Sequence, residues 1–215
     1  MKLSGVIFDF DGTLANTIPV CCAAFRAAIR DRVDREYSDA DIIALFGPSE
    51  EGIIRSIAGE DWEACFATFL TAYEDEHALY SEPFPDVARL LDTLRDKDVP
   101  LGIVTGKGLH SAEISLRLLG LAEYFDPIET GSPDGGIKPE AIRRVLARWG
   151  LPAAEVAYIG DTASDMDDAR ASGTIPVAAA WASTANLAAL ERATPHALFR
   201  RVDALLDWLC RHVDA

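Results

Sequence analysis

The stretch Phe8-Asp9-Phe10-Asp11-Gly12-Thr13-Leu14 places two carboxylates two residues apart at the end of the apolar run Leu3 to Phe8. In a strand, residues i and i+2 face the same side of the sheet, so Asp9 and Asp11 are expected to point together. That is a catalytic geometry before it is a structural one. The ordinary alternative is a strand end whose acids are simply solvated ahead of a Gly-Thr turn. The rest of the chain has to break the tie.

Two further apolar runs end in the same manner. Val99 to Val104 leads into Thr105, and Val156 to Ile159 leads into Gly160-Asp161. Between the runs lie helical signals: Asp86 to Lys97 repeats Val87, Leu90, Leu91 and Leu94 on one helical face, and Gly108 to Leu119 and Pro139 to Trp149 read likewise. Proline suits the first turn of the last of these. Strand alternating with helix implies an α/β fold, a Rossmann-like parallel sheet flanked by helices. Ligands bind such sheets outside the carboxyl ends of the strands, so Asp9, Thr105 and Asp161 are expected to converge on one pocket.

One interval breaks the rhythm. Roughly ninety residues separate the first two strands, against the dozen or more that a crossover needs. The excess has helix-like stretches at Pro19 to Asp31, Ser38 to Phe46, Glu50 to Ile57 and Asp61 to Leu79. An inserted all-α domain over residues 18–81 is therefore expected, with residues 1–17 and 82–215 forming the core. Thr13 to Pro19 and Ser81 to Pro85 would be its hinges, the second stiffened by Pro83 and Pro85.

Taken in order, Asp9-Phe10-Asp11-Gly12-Thr13, Thr105, Lys138-Pro139, and Gly160-Asp161-Thr162 with Asp165 resemble the motifs of the haloacid dehalogenase superfamily. The likeness is to its phosphoglycolate phosphatase-like members, which carry a helical cap after the first strand, and it spans nearly the whole chain. It implies a phosphoaspartate mechanism. Asp9 would attack phosphorus, being ionised at neutral pH without help from a base. Asp11 would protonate the leaving oxygen and then deprotonate the hydrolytic water. The resemblance also implies Mg²⁺ held by the Asp9 carboxylate, the Asp11 backbone carbonyl and Asp161, with Asp165 completing the site or holding Lys138. Thr105, the Gly106 N–H and Lys138 would bind the phosphate.

The chemistry implied is internally consistent. Like charges about 4 Å apart repel by about 4 kcal/mol at an effective dielectric of 20, so these acids around a phosphate dianion require a cation, and an oxygen-only set suits Mg²⁺. Each residue also has an ordinary reading: Thr105 as a helix N-cap, Lys138 as an exposed lysine, and Asp165, Asp167 and Asp168 as acids on a solvated helix face. For Asp167 and Asp168 that ordinary reading is adopted. In the insert, Gly47-Pro48-Ser49-Glu50 would be a loop facing the site. Ser49 and Arg55 are candidates for substrate selection, with a snorkelling surface arginine as the competing reading of Arg55.

Other features exclude more than they assign. Gly102-Ile103-Val104-Thr105-Gly106-Lys107-Gly108 fails the Walker spacing. The four histidines are scattered, and the four cysteines lack zinc-type spacing. A net charge of -15 argues against nucleic acid and anionic membranes. With no apolar run near membrane-spanning length and no signal-peptide pattern, a cytoplasmic chain is expected, monomer or homodimer.

The resulting expectation is a Mg²⁺-dependent phosphatase for a small phosphorylated metabolite, with a phosphoglycolate-type monoester as leading substrate. Inorganic pyrophosphate and a phosphomutase reaction are the alternatives on the same scaffold. Ala178-Ala179-Ala180-Trp181-Ala182-Ser183 departs from the Gly-x-x-Trp-Gly loop of phosphoglycolate phosphatase-like relatives, and Thr105-Gly106-Lys107 from their usual Thr-Asn-Lys. From another class, a phosphoryl-accepting signalling receiver also combines acids, Thr and Lys. Its acidic pair precedes a separate acceptor, however, and it has no large insert.

Overall fold

The computed structural model describes residues 2–30, 32 and 35–213. Six strands form one sheet: β1 (Gly5–Phe8), β2 (Leu101–Val104), β3 (Ile128–Glu129), β4 (Val156–Gly160), β5 (Ile175–Ala179) and β6 (Ala197–Phe199). All neighbours pair in parallel, in the order β3-β2-β1-β4-β5-β6. β1, β2 and β4 are buried along their whole length, because helices cover both faces of a parallel sheet and both side-chain sets must be apolar. On one face Val6 and Phe8 pack with α5 (Val87–Arg95) and α10 (Val202–His212). On the other, Ile7, Val104 and Tyr158 pack with Ile142 and Val145 of α7 (Lys138–Trp149).

The chain runs outward from β1 to β2 and β3, then returns to β4 on the other side of β1. A crevice opens where the strand order reverses in this way. Register brings the strand ends level, since Phe8 pairs with both Ile103 and Ile159 and the Asp9 N–H donates to the Ile159 carbonyl at 2.8 Å. Asp9, Thr105 and Asp161 therefore leave adjacent strands at the same rim.

Between β1 and α5 the described residues form α1 (Ile18–Ile29), α2 (Asp39–Ile43), α3 (Glu50–Ala58) and α4 (Trp62–His77). The expected helix end at Asp31 lies outside the described residues. α2 is shorter than the periodicity predicted: Ser38 and Asp41 form a capping box, and Ala44 to Phe46 then turn away from the helix. The four helices bury their own apolar cluster, including Val20, Phe25, Ile42, Ile54, Phe69 and Tyr73. The two crossings to the sheet lie side by side, the Phe84 N–H donating to the Leu14 carbonyl at 2.9 Å.

The remaining helices, α6 (Leu109–Leu118), α8 (Ala163–Ser172) and α9 (Leu187–Arg192), complete the two layers. No helix among the described residues is long and apolar enough to cross a membrane. Phe69 is fully buried and packs its ring 4.9 Å from that of Phe25 and 5.6 Å from that of Tyr73. Phe69→Ala is expected to cost about 3–5 kcal/mol of stability. Urea denaturation checks this, and a loss below about 1 kcal/mol would show that the four helices do not depend on that cluster.

Candidate active site

Asp9 and Asp161 continue β1 and β4, and both are buried. The Phe10 N–H donates to Asp9 Oδ1 at 2.7 Å. Together with Asp165 they form an acidic group in which each offers an oxygen within 4.8 Å of the others. Lys138, the first residue of α7, reaches across to donate to Asp9 Oδ2 at 3.0 Å and to Asp165 Oδ1 at 2.7 Å.

Asp165 is the third residue of α8 and closes a capping box with Thr162, accepting from its N–H at 3.0 Å and from its hydroxyl at 2.6 Å. Its other oxygen accepts from Lys138 and from the Tyr158 hydroxyl at 3.2 Å. Both oxygens are thus committed to protein donors. Burial works to raise the Asp165 pKa, but the charge and hydrogen bond of Lys138 and the bonds from Thr162 hold it below the usual carboxylate range. Asp9 behaves oppositely. Burial lifts it to about 6 against the pull of Lys138, with Asp165 and Asp11 adding repulsion. Asp161 is raised well above its ordinary value by burial, then by Asp165 and Asp9.

Asp11 faces a second lysine. Lys107 is buried, with Nζ 3.1 Å from Asp11 Oδ1 and 3.4 Å from Glu50 Oε1, and it lies 4.6 Å from the centre of the Tyr73 ring. The Thr17 hydroxyl also donates to Asp11 Oδ1. Burial opposes the ammonium charge, but Asp11, Tyr73 and Glu50 raise the Lys107 pKa well above the ordinary value. Glu50, at the start of α3, also accepts from the Gly108 N–H at 2.6 Å and the Ser111 hydroxyl at 2.7 Å. The same contact is sealed by the Ser49 N–H donating to the Ser132 carbonyl at 2.9 Å. Here Gly52 approaches so closely that a Cβ on it would sit 2.1 Å from the Pro133 carbonyl oxygen.

Asp9, Asp11, Thr105, Gly106, Lys138 and Asp161 all line one crevice of about 480 Å³. Thr105 is buried, and its hydroxyl accepts from the Lys107 N–H at 3.3 Å. Three expectations need correcting. Thr105 is not the N-cap of α6: Gly108 is, and that end is taken by the Glu50 carboxylate, which the helix dipole favours. Arg55 does not reach the crevice; it pairs with Glu51 at 2.5 Å and stacks on Trp62. Ser49 lies buried beneath the wall, between Pro48 and Glu50, which do line it. Of the two acids read as solvated, Asp167 is exposed and pairs with Arg170, but Asp168 stands half-buried on the crevice wall, where burial raises its pKa.

Sequence reasoning placed Glu50 in a loop facing the site but missed Lys107 and Tyr73, and with them the partners of Glu50. A lysine after a glycine and a glutamate opening a helix look like ordinary surface residues, and nothing in their spacing reports that they meet.

The oxygen-only donors Asp9 and Asp161 suit a hard divalent cation. Their oxygens lie within 4.8 Å of each other, and Gly12, at φ +75°, leaves room for the Asp161 carboxylate, since a Cβ there would fall 2.2 Å from Asp161 Oδ2. Magnesium therefore fits the residues present.

Residues 6–180 match the family model described as haloacid dehalogenase-like hydrolase. This chain belongs to that family and is an enzyme, a hydrolase of its phosphatase type. A pyrophosphatase PpaX from Bacillus cereus (strain AH820) is 27% identical over 211 residues, covering 97% of each chain. A hydrolase from Pseudomonas syringae superposes with a TM-score of 0.79 at 25% identity, over 98% of this chain and 100% of the other. A predicted phosphoglycolate phosphatase from Haemophilus somnus gives 0.78 at 18% identity, over 97% and 98%.

The raised pKa of Asp161 has a sign that can be tested. Below its unfolded value both states are protonated and the group contributes nothing. As pH rises above that value, ionisation favours the unfolded chain and the metal-free fold loses stability. Asp161→Asn lacks this cost, so in chelator the stability of the variant relative to wild type should grow between pH 4 and pH 7. Urea midpoints check this, and a difference that is flat or shrinks with pH would contradict the assignment.

Proposed function

We propose that the chain is a magnesium-dependent phosphatase that hydrolyses a small phosphorylated metabolite through a phospho-Asp9 intermediate, with helices α1 to α4 as a cap over the site. The observation that carries this reading is the Lys138 ammonium, 3.0 Å from Asp9 and 2.7 Å from Asp165 in the acidic crevice. A nucleophilic carboxylate beside a fixed cation is what phosphoryl transfer requires, since positioning and electrostatics carry most of its catalysis.

Asp9 Oδ would attack phosphorus as the bond to the leaving oxygen breaks, and the Asp11 carboxyl would deliver a proton to that oxygen. Asp11 then takes a proton from water, whose oxygen attacks phosphorus and releases Asp9 and inorganic phosphate. Asp165, anchored by Thr162 and Tyr158, aims Lys138 at the transferring oxygens. Lys107 and Thr17 hold Asp11 against the mouth of the cap. Magnesium, held by Asp9, the Asp11 carbonyl and Asp161, would supply the positive charge that lets these acids and a phosphate dianion coexist.

The names of the relatives, a pyrophosphatase and a phosphoglycolate phosphatase, support a phosphorylated small-molecule substrate. A stable phosphoryl-accepting receiver is the weaker reading, as the acidic group and cap-side wall enclose a substrate-sized crevice.

Asp9→Asn should reduce phosphate release from para-nitrophenyl phosphate by at least about 10³-fold while the circular dichroism spectrum is retained; activity near wild type would remove Asp9 as nucleophile. EDTA should silence the enzyme and added Mg²⁺ restore it, whereas full activity in chelator would refute the metal requirement.

A further inference from the structure

The crevice has two unlike walls. Besides Glu50, the helical segment contributes the apolar residues Ile18, Cys21, Ile43, Phe46, Pro48 and Ile53 to the lining. Ile43 is 42% exposed and Phe46 38% exposed. Large apolar side chains held in water on a concave surface mark a place that a ligand covers.

Charge constrains that ligand. The lining carries the carboxyl groups of Asp9, Asp11, Glu50, Asp161 and Asp168, and among the described lining residues the only cations are Lys107 and Lys138. Neither is free. Lys107 is buried between Asp11 and Glu50, and Lys138 is paired with Asp9 and Asp165. The charge that magnesium would supply, and that of Lys138, would be matched by the transferring phosphate. A second anionic group on the substrate would meet no unpaired cation and would face the half-buried acid Asp168. The neutral hydroxyls of Ser132 and Thr184 also line the crevice.

We propose that the substrate is a phosphomonoester whose leaving group is an uncharged alcohol with an apolar face, seated against Ile43, Phe46 and Ile53. Phosphoglycolate, pyrophosphate and bisphosphates are then disfavoured. This inference rests on the phosphatase reading and narrows it.

The test compares a matched pair on the Mg²⁺-loaded full chain: n-hexyl phosphate and 6-phosphooxyhexanoate, which differ only in a distal carboxylate. para-Nitrophenyl phosphate serves as a general reporter, with phosphoglycolate and pyrophosphate assayed alongside. The expected kcat/KM for hexyl phosphate is at least about tenfold above that of its carboxylate partner, and above those of phosphoglycolate and pyrophosphate. Phe46→Ala should raise KM for hexyl phosphate more than it lowers kcat. Ile43→Arg should narrow or reverse the preference within the pair. Equal or better turnover of the carboxylate partner, phosphoglycolate or pyrophosphate, with the reporter hydrolysed, overturns this inference and leaves the phosphatase reading standing. No phosphate release from any of these compounds overturns both.

Discussion

The bridge that Lys138 makes between Asp9 and Asp165 is the interaction on which the rest of the architecture depends. Those two acids come from positions 129 and 27 residues away in the chain, and they lie in a pocket where burial penalises every charge. Each like-charge contact of this type costs about 4 kcal/mol at an effective dielectric of 20. A single ammonium inserted between the acids removes part of that cost and joins α7 to the ends of β1 and α8. The sheet topology makes this bridge accessible, because the strand order reverses beside β1 and β4 and leaves their carboxyl ends uncovered.

A second buried cation works across a different boundary. Lys107 leaves the sheet side of the molecule, yet two of its neighbours, Glu50 and Tyr73, belong to the helices inserted after β1. Removing either charge of such a pair leaves its partner unsolvated, so the helical segment and the sheet are matched electrostatically as well as by shape. The Tyr73 hydroxyl extends the contact to Ser115 at 2.8 Å, and His77 Nε2 lies 3.0 Å from the same Ser115 oxygen.

Most of the fold was legible because its signals are local. The strands ending at Asp9, Thr105 and Asp161 are unbroken apolar runs, and α5 and α7 show their buried faces at helical spacing. β3 was not readable, since two residues cannot display a period, and β6 is a half-buried three-residue edge. In the crevice, the Asp-x-Asp pair and Gly160-Asp161 were legible because these carboxylates follow strands directly. Lys107 and Asp168 were not, because their roles come from who faces them across the fold. Of the two readings of Arg55 the surface one holds, because Trp62 and Glu51 offer it a nearby stacking surface and counter-charge.

The missing side chain at Gly52 has a consequence beyond its own position. Because even a methyl there would collide with the carbonyl of Pro133, helix α3 lies flush against the loop below it, and the next residue, Ile53, is delivered to the crevice wall. Any larger residue would act as a wedge, prising that wall outward and loosening the seat of Glu50 two residues earlier. The position of that wall is thus set from behind, by a close backbone approach outside the crevice itself.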